Sequence, residues 1–255
     1  MASNNLAQGR NVLYITAEMA EEEISMRIDA NLLDVEMSEI EKLSKVTYEK
    51  LINRLRSKTA GKLVVKEYPT AAAGAAHFRH LLNELRLKKN FVPDIIYIDY
   101  LNICASSRLR AGKVSSYEYV KAIAEELRGL AIEFGVPIVT ATQLNRSGYG
   151  SSDPDLTDTS ESFGLTATAD FMFALVQNEQ LAEAGQILVK QLKNRYNSPD
   201  KMRKFMIGVD RGHMRFYNLE ATGFDQAAGL SDDIPLFDKS QKAKSKKDFN
   251  DFNFD

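Results

Sequence analysis

The chain carries five short, almost uninterrupted apolar runs separated by polar or helically periodic stretches. They are NVLYITA (Asn11 to Ala17), KLVVKEY (Lys62 to Tyr68), DIIYIDY (Asp94 to Tyr100), PIVTAT (Pro137 to Thr142) and DFMFALV (Asp170 to Val176). Rich in β-branched and aromatic residues and lacking strict alternation, they suit strands buried on both faces. Between them the period changes. From Tyr117 to Phe134 the apolar residues Val120, Ile123, Leu127, Leu130 and Ala131 form the stripe of a helix lying on a sheet, and Gly135 with Pro137 ends it. Another helix is expected to start at Ser38, where Ser38 and Glu41 have capping-box spacing ahead of Leu43, Val46, Leu51 and Leu55. This alternation predicts an α/β fold with a largely parallel sheet. Gln186 to Leu192, Lys204 to Val209 and Met214 to Tyr217 read as closing strands, with Arg211, Gly212 and His213 at a hairpin turn. After Gly229 the pattern stops. A lysine-rich run and an acidic, phenylalanine-dotted end are too polar to build a core, so the expected organisation is one domain over 1–229 and a disordered tail over 230–255.

Composition narrows the class. A chain of 255 residues with 44% hydrophobic content can bury about three quarters of its unfolded surface. The single cysteine, Cys104, excludes a disulfide framework within it, and three histidines with one thiol offer no zinc-ligand spacing. His77 and His80, on an expected helix, read as structural or surface residues, and Cys104 reads as packing beside the DIIYIDY strand. No run of 18 apolar residues occurs, and MASNNLAQGR lacks the apolar stretch of a signal peptide. A cytoplasmic location without a membrane partner is therefore expected. The formal net charge of -2 argues against a surface coated in positive charge and confines any nucleic-acid contact to a local groove or a ring pore.

Ligands of parallel α/β sheets collect at the carboxyl ends of the strands. Four strands here end in polar or charged residues: Thr16-Ala17-Glu18-Met19, Asp99-Tyr100, Thr142-Gln143-Leu144-Asn145-Arg146 and Lys193-Asn194-Arg195. Any one of these positions alone reads equally well as a helix cap or turn. Together they supply two acids, an amide and cations, the set needed for nucleoside triphosphate hydrolysis. There, one carboxylate holds Mg²⁺, another activates water, and cationic groups stabilise the γ-phosphate.

These motifs resemble the motor domain of the DnaB-family, RecA-like replicative DNA helicases, and most of all the T-even bacteriophage branch, over about Asn4 to Asn218. NVLYITAEMA resembles the strand ending in the family's catalytic glutamate, which implies Glu18 as the general base. DIIYIDYLNI resembles its Walker B strand, which implies that Asp99 holds Mg²⁺ through water. VPIVTATQLNRSG resembles the motif that links the γ-phosphate to the DNA loops, so Gln143 inherits that role. VKQLKNRYN resembles the segment that offers a lysine and an arginine to a neighbouring subunit's nucleotide, implying Lys193 and Arg195. Two DNA loops are expected. The first is Ala105 to Ser115 with Arg108, Arg110 and Lys113, for which a flexible surface loop is the other reading; the second is Arg146 to Thr168, longer than the usual family version, in which Arg146 is a further candidate contact. The resemblance implies ATP and Mg²⁺ as cofactors, a self-assembled ring of about hexameric size, single-stranded DNA as ligand, 5′ to 3′ unwinding, and primase and a helicase loader as further partners. The acidic, aromatic segments SDDIPLF and DFNDFNFD also resemble the tips by which single-strand binding proteins dock, the other reading being an inert solubilising tail.

One part of the family pattern is missing from these residues. No GxxxxGK[ST] run, whose backbone N–H groups and lysine cradle the β- and γ-phosphates, occurs in the sequence. In the family that loop lies one helix ahead of the strand matched by NVLYITA, and MASNNLAQGR resembles only the end of that helix. The strand that feeds the loop is expected beside the Walker B strand. Its loss would expose backbone groups and apolar faces, so the chain alone is expected to be poorly stable and inactive. A fragment of a longer protein, one product of a split gene, or a decayed copy would each account for this. Two other functional classes stay open: a RecA-like recombinase or regulatory ATPase, and a nucleotide-free assembly module that joins rings or recruits partners. QLNR with KNR favours the helicase, and the missing loop favours the assembly module.

Overall fold

The structure, a computed structural model, describes residues 1–59, 61–143, 163–197 and 203–219. The tail over 230–255, Arg146 and most of the second expected DNA loop lie outside them.

The apolar runs become β1 (Val12–Thr16), β2 (Leu63–Glu67), β3 (Ile95–Asp99) and β4 (Ile138–Thr140), paired in parallel in the order β2-β1-β3-β4. Both faces are covered, which is why these runs do not alternate. Leu13, Ile15, Ile96 and Ile98 point to one face, where they meet α5 (Ala75–Lys89) through Phe78, Leu81, Leu82 and Leu85, and α6 (Ser116–Phe134) through Val120, Ile123, Leu127 and Leu130. Val12 and Tyr97 point to the other, against Leu6 of α1 (Ala2–Ala7) and Ile24 and Ile28 of α2 (Glu21–Leu33). The helix expected from Tyr117 is α6. Ser115 caps it, accepting from the Glu118 amide while Glu118 reaches back to the Ser115 amide, and Gly135 closes it at φ 65.

Two expectations are corrected. The helix foreseen from Ser38 is broken into α3 (Met37–Ile40) and α4 (Lys45–Lys58). Ser38 lies inside α3 and its hydroxyl donates to Glu36, whereas the Ser44 hydroxyl accepts from the Thr47 amide at 3.2 Å and is the true cap. Ile40 is buried where α3 ends, and Val46 stands exposed rather than on the apolar stripe. The second correction concerns DFMFALV. It forms β5 (Phe171–Val176), which follows α7 (Phe163–Thr168) and belongs to a separate antiparallel sheet, β5-β6-β7-β8. The other members are β6 (Gln186–Asn194), β7 (Lys204–Asp210) and β8 (Arg215–Asn218), with α8 (Glu179–Glu183) between β5 and β6. The 177–185 connection is too short for a parallel crossover, which takes about a dozen residues or more. The turn over 211–214 joins β7 to β8 where a hairpin was expected.

Nor is there room for a strand beside β3, because β1 and β4 already bond both of its edges. The strands bonded on one side only, among the described residues, include β4 and β5, which terminate the two sheets. On β5, Phe171, Phe173 and Leu175 alternate along one face and are 50%, 36% and 47% exposed.

The loops at the carboxyl edge of the parallel sheet are tied together by backbone bonds. Tyr68 N–H donates to Thr16, Ala17 N–H to Asp99, Ala71 N–H to Ile103 and Ala105 N–H to Ala73. This brings Gly74 so close to the chain at 105 that a Cβ there would lie 1.8 Å from the Ala105 carbonyl oxygen. Gly74→Ala is expected to cost about 1–3 kcal/mol, as overpacking against fixed backbone does. Denaturant unfolding of the variant beside the parent measures it, and an unchanged midpoint would mean the two loops can part freely.

Candidate functional site

Three of the expected site residues come to neighbouring places on one edge. Glu18 follows β1, Asp99 ends β3 and Gln143 follows β4. The parallel register sets Thr16 opposite Asp99, and the Ala17 N–H donates to the Asp99 carbonyl at 2.9 Å, so the two acids stand on adjoining strands. Thr16 is wholly buried. Its hydroxyl accepts from the Met19 amide at 3.0 Å and the Glu18 amide at 3.4 Å and donates to the Met19 carbonyl, folding the chain out of the sheet so that the Glu18 side chain is exposed.

Asp99 is half-buried and takes a hydrogen bond from the Tyr14 hydroxyl at 3.1 Å. Burial, and then the Asp99 charge, push the Tyr14 phenol well above its ordinary value, so it stays protonated and orients one carboxylate oxygen. Tyr14 in turn stacks on Tyr97, with ring centroids 6.0 Å apart. Gln143 reaches back over the edge, donating from Nε2 to the Tyr100 hydroxyl at 3.2 Å, and Thr142 donates to Asn102 at 2.8 Å. Two other acids nearby are already engaged. Glu21 accepts from the Glu67 amide and from Lys66, which holds its carboxyl below the ordinary range, and Glu67 accepts from the Glu21 amide.

Lys193 and Arg195 form a second cluster. Lys193 Nζ donates to the carbonyls of Thr166 and Ala167, and Arg195 donates to that of Ala167, so both cations gather at the carboxyl end of α7, where the last helix carbonyls take partners from outside the helix. Asp170 binds Arg195 at 2.8 Å and Arg128 of α6 at 2.8 Å through the same oxygen. Burial first, and then the Arg195 charge, lower the Lys193 ammonium below its ordinary value. Neither Lys193 nor Arg195 makes a hydrogen bond or ion pair with Glu18, Asp99 or Gln143 among the described residues.

The first expected DNA loop is split in behaviour. Arg108, Arg110 and Lys113 are all exposed, but Arg108 folds back onto α6, paired with Glu125 at 2.7 Å and Glu126 at 3.3 Å, whereas Arg110 and Lys113 have no side-chain partner among the described residues. Cys104 is buried at the loop's root, and burial pushes its thiol up to about 12, which leaves it inert. Among the described residues no three His, Cys, Asp or Glu side chains converge as a metal site, and no helix is long and apolar enough to cross a membrane. Tyr14, Arg128, Asp170 and Glu126 carried no signal in the sequence, because their partners lie on other elements.

Comparison with known proteins places the chain in a family. Residues 1–213 match the family of the DnaB-like helicase C-terminal domain. The chain is 49% identical over 223 residues to a DnaB-like replicative helicase of enterobacteria phage T4, and 26% identical over 208 residues to the replicative DNA helicase DnaB of Helicobacter pylori strain 26695. The alignments take in 86% and 80% of this chain but 47% and 40% of the relatives, so the chain spans less than half the length of each. Two solved structures share the fold at a TM-score of 0.69 and 19% identity over 86% of the chain. One is a DnaB-like replicative helicase described with its interactions with primase, of which 53% is covered; the other is an ATPase domain, of which 78% is covered. Fold and sequence together define an α/β domain of the DnaB-like helicase class. The chain belongs to the DnaB-like helicase C-terminal domain family.

Proposed function

We propose that this chain is the ATP-driven motor portion of a replicative DNA helicase that unwinds 5′ to 3′ as a ring, with ATP hydrolysed at subunit interfaces. One observation carries the reading: Glu18, Asp99 and Gln143 stand side by side at the carboxyl ends of β1, β3 and β4 in a chain of this family. The donor set fits the implied cofactors. Asp99 is a hard oxygen ligand with one oxygen oriented by Tyr14, suited to holding Mg²⁺ through water. Mg²⁺ held there would offset the charge of the ATP phosphates. Glu18, exposed and next to it, accepts the proton of the attacking water. Gln143 senses the γ-phosphate and, through Tyr100 and the 101–105 turn, connects it to the loop bearing Arg110 and Lys113. Lys193 and Arg195, set apart from the acids, serve the nucleotide of a neighbouring subunit in a ring of about six.

Single-stranded DNA is the ligand of the pore loops, Arg146 included, and primase and a helicase loader are the further partners. The setting is the cytoplasm of a bacterial host. The phosphate-binding loop is not among these 255 residues, so the reading requires a GxxxxGK[ST] segment from elsewhere. The edges of β4 and β5, with Phe171, Phe173 and Leu175 exposed, are where the strand of such a segment would pair.

The test is Mg²⁺-dependent ATP hydrolysis, with and without single-stranded DNA, by this chain and by a form extended at its N-terminus with a GxxxxGK[ST] segment. Only the extended form is expected to hydrolyse ATP, with stimulation by DNA. DNA-stimulated turnover by the chain alone would refute the requirement for the loop. Failure of both forms, with primase binding intact, would favour an assembly module.

A further inference from the structure

The loop that follows β3 is held by one carboxylate. Glu126 lies on α6 with its side chain 8% exposed, and the donors it meets come from three successive loop residues. The Ser106 hydroxyl donates to Oε1 at 2.5 Å, the Ser107 amide and hydroxyl donate to Oε2 at 2.9 and 2.5 Å, and Arg108 Nε donates to Oε1 at 3.3 Å. The Ser106 hydroxyl also accepts from the amides of Arg108 and Leu109 at 3.2 and 3.1 Å, and the Ser106 amide donates to the Tyr119 hydroxyl at 3.1 Å. The Arg108 guanidinium is tied down further, to Glu125 and to the Ala122 carbonyl. Burial alone would raise the Glu126 carboxyl, yet the bonds from Ser106, Ser107 and Arg108 outweigh it and hold the group ionised below its ordinary range.

Beyond Leu109 the loop changes character. Arg110 and Lys113 are exposed, as Arg108 is, but neither of these two cations has a side-chain partner among the described residues, and a turn closes from the Lys113 amide to the Arg110 carbonyl at 3.2 Å. Half of the loop is therefore fastened and half is presented.

We infer that Glu126 is a positioning residue for nucleic-acid binding: it anchors residues 106–109 to α6, with Arg108 as part of the anchor, so that Arg110 and Lys113 are held out to the phosphates of a single strand. The inference rests on the reading of this loop as a DNA loop given under Proposed function. Its physical content is preorganisation. An anchored loop does not lose its freedom again on binding, whereas a released one must be ordered at the expense of affinity. Arg108 adds little to the electrostatic attraction, because Glu125 and Glu126 offset its charge.

The experiment compares Glu126→Gln, the milder Ser107→Ala and the double variant Arg110→Ala/Lys113→Ala in the ATP-hydrolysing form of the protein. It measures single-stranded DNA affinity across a salt series, amide hydrogen exchange over 105–113, and stimulation of ATP hydrolysis by DNA. Loss of two phosphate contacts from the double variant is expected to flatten the log affinity against log salt slope by about 1.4, at about 0.7 per contact to a single strand. Glu126→Gln is expected to weaken binding about tenfold at an unchanged slope, the scale set by ordering one short segment. It should speed exchange of the Ser107, Arg108 and Leu109 amides, and raise the half-saturating DNA concentration more than it lowers the maximal rate. Ser107→Ala should move in the same direction by less, which separates an unlatched loop from a damaged fold. If Glu126→Gln binds like the parent while the double variant flattens the slope, Glu126 positions nothing and the DNA loop stands. Tighter binding with a steeper slope would make Glu126 a counter-charge that withholds Arg108 and would overturn the inference. An unchanged slope in the double variant would remove the DNA reading of the loop, and the inference with it.

Discussion

Glu18→Gln is expected to lower ATP turnover by about 10²- to 10⁴-fold, the range for loss of a general base, with nucleotide affinity changed only a few fold. The amide keeps the shape of the side chain and the turn that places it, since that turn is built from the Thr16 hydroxyl and the amides of Glu18 and Met19. What it removes is the ability to take a proton. Three other acids at this edge are already engaged: Glu21 and Glu67 bind each other's amides and Glu21 pairs with Lys66, while Asp99 is engaged by Tyr14. Single-turnover hydrolysis in the extended form, with ATP binding measured separately, checks both halves. A loss of less than about fivefold would place the base elsewhere, because even the low end of the general-base range is about a hundredfold.

The second large effect belongs to Arg195→Ala, expected to cost about 10³ to 10⁵ in turnover if the guanidinium acts as a finger across a subunit interface. Within the chain Arg195 is held by Asp170 and by the Ala167 carbonyl, beside Lys193, and the cluster makes no hydrogen bond or ion pair with Glu18 or Asp99 among the described residues. An arginine with that anchorage stays ordered before a neighbour's nucleotide reaches it, and so does not have to be organised at the moment of reaction. Mixing distinguishes action on a neighbour from action within the chain. Rings assembled from Arg195→Ala and Glu18→Gln subunits contain interfaces where an intact Arg195 meets an intact Glu18, so the mixture should recover turnover that neither variant has alone. No recovery on mixing would mean that Arg195 serves its own subunit.

Much of this was readable from the chain because it depends on neighbours in sequence. The doubly buried strands β1 and β3 show as runs without alternation, since both faces must be apolar when α1 and α2 cover one side and α5 and α6 the other. The start and stop of α6 show because a capping box and a left-handed glycine act within a few residues. The start of α4 did not, because Ser38 and Ser44 are both serviceable caps and the choice follows from where Ile40 is buried. Strand direction was equally silent in DFMFALV. An apolar run says that a segment is buried, and only the short connection to β6 makes the pairing antiparallel.

The candidate site divides along the same line. By itself the sequence determined which strand ends carry acids, amides and cations, and through its motifs the family to which the chain belongs, since these are matters of residue type at fixed spacing. The tertiary structure decided the rest. It set the loop of Glu18 beside the end of the Asp99 strand, gave Asp99 its hydrogen bond from Tyr14, gathered Lys193 and Arg195 around Asp170 with Arg128, and paired Arg108 with Glu126 while Arg110 and Lys113 kept no side-chain partner among the described residues. Each of these is a contact between residues far apart in the chain. Such contacts exist only once burial of apolar faces has set the register and packing of the elements, and no local pattern encodes them.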